Sequence, residues 1–285
     1  MTLTVLTFNV LQLQFKGSRH RARAALRVIE RADPDVIVLN EAFNRQSRAL
    51  VAQLQAEGYA ASPYLGGFGG AWRGVSGRRR GIGGFIGGGV YVLSRLPIEE
   101  QYQHVYRSLR RTTTEALSNK GCLLVKLRPD GEPLWVAGTH LHADERGNCH
   151  SVRMAQLGEL RAFVAATVPV GEPVVLAGDL NIEYYDADGR PGADRAEADR
   201  AVGGNIAPQE VIHDFTFDGT LNALTHKDTP NYRNVLDYVG VLQSRGHTVS
   251  IGTTTLGFEP GREASDHFPV LATVTVPSPE PPGRS

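Results

Sequence analysis

Two cysteines among 285 residues exclude a disulfide framework and a cysteine-rich metal site. Cys122 and Cys149 can make one bridge at most, and they lack metal-ligand spacing. No charge of one sign prevails: 30 Lys and Arg balance 30 Asp and Glu, so no global basic field recruits nucleic acid. No apolar run approaches the roughly 18 residues of a membrane span. The chain opens on a strand-like Thr2–Phe8, with neither a basic start nor a small-residue cleavage site, so no signal peptide is read there. The expectation is a cytoplasmic protein for the chain as given, or an extracellular one if this is a mature secreted form.

What the chain does have is an alternation of strand-like and helical segments. Leu3–Phe8, Val36–Leu39, Val90–Leu93, Val174–Ala177, Val235–Val241 and Val270–Val276 read as strands. Gly121–Leu127 and Leu134–Thr139 read as a hairpin around Pro129-Asp130-Gly131. Ser18 caps a predicted helix to about Ala32, closed by Pro34; others span about Asn44–Glu57 and Ser151–Val164. The short runs are apolar on both faces and the helices on one, which predicts packed sheets with helices outside. With no linker, one domain over 1–276 is expected, followed by a disordered tail at 277–285. Cys122 starts the hairpin and Cys149 lies past its end, so the two are expected within bridging distance. Gly66–Gly89, half of it glycine, lacks the Gly-Lys-Ser/Thr ending of a phosphate-cradling loop and reads as a mobile loop or a lid with aromatic anchors. Tyr184–Ala207 reads only as polar and loop-like.

Polar residues recur where these strands end: Asn9, Asn40-Glu41, His140, Asp179-Leu180-Asn181, Asp237 and Asp266-His267. A carboxylate ending Val36-Ile37-Val38-Leu39 needs a partner or a metal, and a hard cation such as magnesium suits Glu41 with the Asn9 oxygen. Asp179 and Asn181, two apart after Gly178, fit the orientation of water and phosphate, or simply an Asx turn closing the strand. His140 and His267 can divide the proton work of a hydrolysis, and Asp237 can fix the tautomer of one of them. His142 is a candidate binding residue on the face of His140. His20, His104, His213, His226 and His247 lack such a context and read as solvated.

In this order, over about residues 3–276, the motifs resemble the endonuclease/exonuclease/phosphatase superfamily of metal-dependent phosphoesterases. The resemblance implies a four-layer α/β sandwich, two packed mixed sheets flanked by helices. It implies Asn9 and Glu41 as the metal pair, joined by Asp266, with magnesium or alternatively manganese or cobalt. It further implies His140 on the leaving-group side, Asp179 and Asn181 orienting water and phosphate, Asp237 supporting a histidine, and His267 as general base. Within the superfamily, Ser118-Asn119-Lys120-Gly121, Gly88–Ile98 with its preceding glycine-rich loop and Trp72, and Cys149…Arg153…Gln156-Leu157 are similar to sphingomyelinases. That likeness implies a phospholipid substrate at a membrane surface, release of phosphocholine, and substrate-binding roles for Lys120, Trp72 and His142. His142 stands where those enzymes have glutamine, and Phe258 is the sole aromatic of Val241–Ala264, where they carry a membrane-inserting aromatic hairpin. A monomer is expected. The alternatives are a nuclease with the same centre and a non-catalytic binding module.

Overall fold

The structure, a computed structural model, describes residues 1–13, 17–67, 71–77, 86–144, 147–207, 215–243, 249–259 and 261–276. Two six-stranded mixed sheets form its frame. In the first, the strand order is Ser250–Thr255, Val270–Thr275, Thr2–Gln12, Val36–Ala42, Tyr91–Ser94, Ala60–Ala61. Thr2–Gln12 and Val36–Ala42 run parallel and their neighbours antiparallel. In the second, the order is Asp237–Gln243, Val174–Asp179, Leu134–His140, Gly121–Leu127, Glu100–Val105, Gly74–Gly77.

Alternation along the strands divides the core into layers. Val5, Val36, Val38 and Val92 meet Val136, Val175 and Val239 between the sheets. Leu6, Phe8, Ile37 and Leu39 point the other way, beneath helices α1 (Arg19–Ala32) and α2 (Arg45–Ala56). Leu124, Ala137 and Leu176 point outward under α3 (His150–Thr167) and α4 (Ala193–Val202). This is the expected sandwich with helices on both sides. Ser18 and Asn44 cap α1 and α2, each side chain accepting a first-turn backbone N–H.

Several expectations are corrected. Cys122 and Cys149 are both buried free thiols, not a bridge. Burial and a hydrogen bond with Tyr106 occupy Cys122, whereas the Cys149 Sγ lies 3.4 Å from the Gly147 carbonyl oxygen. The glycine-rich segment supplies a strand, Gly74–Gly77, parallel to Glu100–Val105; Phe68, Arg78–Arg80 and Phe85 lie outside the described residues. The polar stretch 184–207 contains α4, whose Ala198 and Val202 are buried under it. His104 is buried mid-strand, its Nε2 3.0 Å from Glu159 and its Nδ1 2.9 Å from the Ser76 hydroxyl, so it is not a solvated histidine. His20 and His226 are exposed as expected; His213, His247 and the tail at 277–285 lie outside the described residues.

Candidate active site

Register brings the polar strand ends to one rim. His140 pairs with Asp179 across the parallel strands, and Asp237 pairs with Asp179 across the antiparallel ones. From the other sheet, Asn9 pairs with Asn40, and Glu41 follows one residue later. Asn40 fastens the two sheets together. Its amide donates to the Thr139 carbonyl at 2.8 Å and its Oδ1 accepts from the Asp179 backbone N–H at 3.1 Å. Sequence reasoning placed Asn40 at the strand end with Glu41 but gave it no role; the structure shows it fully buried. Gly178 permits the close approach, because a Cβ there would sit 1.9 Å from the Thr139 oxygen.

Asp179 is the hub. Its Oδ1 accepts from the Asn181 backbone N–H at 3.0 Å and its Oδ2 from the Asn9 amide at 2.9 Å. The same Oδ2 lies 3.5 Å from His140 Nε2 and 3.8 Å from His267 Nε2. Asn181 takes a left-handed backbone (φ 51°), so the segment forms the Asx turn rather than an extended pair, and its amide donates to the Leu141 carbonyl.

The pKa values of the two imidazoles are pushed in opposite directions. His267 Nδ1 donates to Asp237 at 2.8 Å. Burial alone would lower its pKa, but Asp237 and Asp179 outweigh burial and hold it well above the usual value. His140 goes the other way, to about 4, through burial and the neighbouring Lys120 ammonium. Lys120 Nζ is 3.2 Å from His140 Nε2, donates to the Leu141 carbonyl at 2.6 Å and is paired with Glu115. An ammonium can only donate, so Nε2 of His140 is the acceptor and Nδ1 carries the proton. That Nδ1 is enclosed and has no hydrogen-bond partner among the described residues.

Glu41 also has a left-handed backbone (φ 53°), a strained geometry for a non-glycine residue. Its Oε2 is enclosed without a hydrogen-bond partner. Burial, reinforced by the charges of Asp266 and Asp179, raises its carboxyl pKa to about 7. Asp266 is half-buried, near enough for its charge to act on both Glu41 and Arg21, and accepts from the Ser265 hydroxyl at 3.2 Å. Asp179, Asp237 and His267 also offer ligand atoms within 4.8 Å of one another, but the His267–Asp237 hydrogen bond occupies two of those groups.

Lys120 is therefore brought to the site, beside His140. His142 is not: the strand ends at His140, and His142 turns to Glu115 (2.8 Å) and the Thr113 hydroxyl (3.2 Å) instead of sharing the His140 face. Glu115, which sequence reasoning missed, links the two. Against burial, Lys120 and His142 lower its pKa to about 2. Trp72 stands apart. Its neighbours Ala71 and Arg73 both bond to Gln101, which is opposite Val125, four residues along the strand from Gly121. Four residues of strand are roughly 13 Å, and Trp72 is half-buried against the inter-sheet core rather than facing the cluster.

The profile of the Endonuclease/Exonuclease/phosphatase family matches residues 6–267. Sphingomyelinase C of Bacillus cereus is 28% identical, over 96% of this chain and 89% of its own length. Sphingomyelinase C 2 of Leptospira interrogans is 28% identical over 99% of this chain, which spans about half (48%) of that relative. The crystal structure of sphingomyelinase C from Streptomyces griseocarneus superposes with a TM-score of 0.79 at 27% identity, covering 96% of this chain and 99% of that one. A mutant Staphylococcus aureus beta toxin with bound magnesium ions gives 0.81 at 24% identity over 95% and 99% of the two chains. Profile, relatives and architecture agree, and the chain belongs to the endonuclease/exonuclease/phosphatase family.

Proposed function

We propose that the protein is a magnesium-dependent sphingomyelin phosphodiesterase of the phospholipase C type, acting on a phospholipid at a membrane surface. The observation that carries the chemistry is the convergence of two imidazoles on Asp179 Oδ2, His267 held through Nδ1 by Asp237 and His140 met by the Lys120 ammonium. The substrate class rests on the sphingomyelinase relatives. No helix among the described residues is long and apolar enough to cross a membrane.

Glu41 is the anchor for the metal. An enclosed carboxylate oxygen with no hydrogen-bond partner, one residue past the Asn9–Asn40 pair and near the charge of Asp266, suits a hard oxygen-seeking cation. When bound, the cation polarises the phosphoryl group and offsets charge on the leaving oxygen. The remaining work falls to the chain. His267, its Nδ1 fixed by Asp237, accepts a proton from water at Nε2 once that nitrogen is neutral. Asp179 holds its rigid place through Asn9 and Asn181, so water near Nε2 meets a fixed acceptor. The water oxygen bonds to phosphorus as the bond from phosphorus to the lipid oxygen breaks, and the departing lipid oxygen takes up a proton from solvent while the one on His267 returns to solvent. His140, neutral because its pKa is near 4, acts as a hydrogen-bond donor from its unpartnered Nδ1–H rather than as an imidazolium acid. Lys120 fixes that tautomer from behind.

A hydrolysis panel with magnesium tests the reading: sphingomyelin, lysophospholipids, phosphatidylcholine, single- and double-stranded DNA, and RNA. Phosphocholine release from a choline lipid, faster than any nucleic acid cleavage, is expected. Nucleic acid cleavage without phosphocholine release supports the nuclease alternative instead.

A further inference from the structure

One pair of helices in this electrically balanced chain carries seven arginines and a single acid. α1 carries Arg19, Arg21, Arg23, Arg27 and Arg31 against Glu30 alone, and α2 carries Arg45 and Arg48 with no acid. Neither helix has an acidic residue in its first turn, the place where the helix dipole favours one. Gln12 ties the two N-termini together. Its Oε1 accepts from the Ser18 N–H at 3.0 Å and the Asn44 amide at 3.1 Å, and its Nε2 donates to the Ser18 carbonyl at 3.0 Å. Because Gln12 pairs with Ala42, next to Glu41, this helix pair opens beside the catalytic rim.

Between the helices lies a groove of about 440 Å³, with Arg19, Arg23 and Arg45 at its walls and Leu26 and Leu50 along its floor. The three arginines make no ion pair or hydrogen bond among the described residues, and no acid lines the groove. Unpaired guanidinium groups above an apolar floor match the phosphate and the adjoining hydrocarbon of an anionic lipid headgroup. The volume is that of a small-molecule cleft, not of a track for a polymer. Among the described residues, little else is suited to holding a bilayer. Phe258 packs inward on Phe8 and Phe268, with ring centroids 6.2 and 5.1 Å apart. The exposed large apolar residues Val75, Leu117, Val170 and Leu221 come from four separate segments.

We infer that the groove between α1 and α2 is a docking site for anionic phospholipid headgroups, which holds the catalytic rim against a negatively charged bilayer. The choice of occupant rests on the lipid-substrate reading above, but docking is separable from hydrolysis because it is read as binding in chelator. Sedimentation with vesicles of phosphatidylcholine and sphingomyelin, with and without phosphatidylserine, tests it on the full chain. Phosphatidylserine should raise binding by tenfold or more, and high salt should abolish the gain. The Arg19→Gln, Arg45→Gln double variant should bind phosphatidylserine vesicles about thirtyfold more weakly, from roughly a fivefold loss per arginine. The charge-matched Arg27→Gln, Arg31→Gln variant, on α1 but outside the groove, should bind nearly as wild type does. Equal loss in both variants, no loss in the first, or no preference for phosphatidylserine overturns the site. So does displacement of the wild type from vesicles by an oligonucleotide whose binding needs Arg19 and Arg45. Failure of the hydrolase reading would show differently, as an absence of phosphocholine however well the protein binds.

Discussion

His267 Nδ1 donates to the Asp237 carboxylate at 2.8 Å, with both groups buried at the strand rim. The bond fixes which nitrogen faces Asp179 and raises the affinity of the ring for its proton. Because the base must be neutral to accept a proton from water, activity is lost as pH falls through the pKa of His267. Asp237→Asn removes the raising charge, so the acidic limb of kcat/KM should move to lower pH while kcat falls by about a hundredfold or more. An unmoved limb would show that Asp237 does not hold this proton.

The histidine assignment separates the two site residues from the rest. His267→Ala and His140→Ala should each lower kcat by about a hundredfold or more, and the exposed His20→Ala should leave it unchanged. His104→Ala is expected to lower the melting temperature instead, since it leaves Glu159 without its buried partner. Steady-state kinetics that cannot tell His140→Ala from His20→Ala would sink the two-histidine account.

Most of this rim was legible from the sequence because strand ends are easy to read. An apolar β-branched run that stops at Asn9, Glu41, His140 or Asp179 marks both the strand and the residue that it delivers. What connects those residues was not legible. Asn40 ends its run beside Glu41 and bonds across to the other sheet, a contact that depends on how the sheets stack. Glu115 comes from a short 3-10 turn, and only the folded chain places it between Lys120 and His142. His142 was misplaced because two-residue alternation holds only while a strand continues, and this one stops at His140. Trp72 was read as part of a loop at the site, yet its segment pairs along Glu100–Val105 and leaves it against the inter-sheet core.

Lys120 and Glu115 form a buried ion pair whose rupture leaves one charge unpaired. Lys120→Met should destabilise the protein by about 3 kcal/mol or more and lower kcat, whereas adding Glu115→Gln should restore part of the stability but none of the activity. Additive losses in denaturant titrations of the three variants would contradict the pairing.

The same pair sets a pH dependence. Glu115 has a folded pKa near 2, below its unfolded value, so its contribution is present above about pH 4.5 and is lost as pH falls towards 2. The stability gap between wild type and Glu115→Gln should hold steady at pH 5 and above, and shrink by up to about 3 kcal/mol below it. Thermal melts across that range check this; a gap that widens on acidification is the wrong sign.

Glu41 behaves oppositely in chelator. Its pKa is raised to about 7, so its ionisation removes stability as pH rises from about 4.5 through 7. Glu41→Gln should therefore melt no lower than wild type at pH 8 without metal, yet show no magnesium-dependent rise in melting temperature and no activity. Magnesium stabilising both proteins equally would remove Glu41 from the metal site.

Mass spectrometry of sphingomyelin turnover in ¹⁸O-labelled water tests the central claim most directly. With magnesium, phosphocholine should appear carrying one labelled oxygen, the lipid product none, and chelator or His267→Ala should stop both. Label in the lipid product, undiminished turnover in chelator, or no phosphocholine while DNA or RNA is cleaved would contradict a metal-dependent attack of water on the phosphorus of a choline lipid.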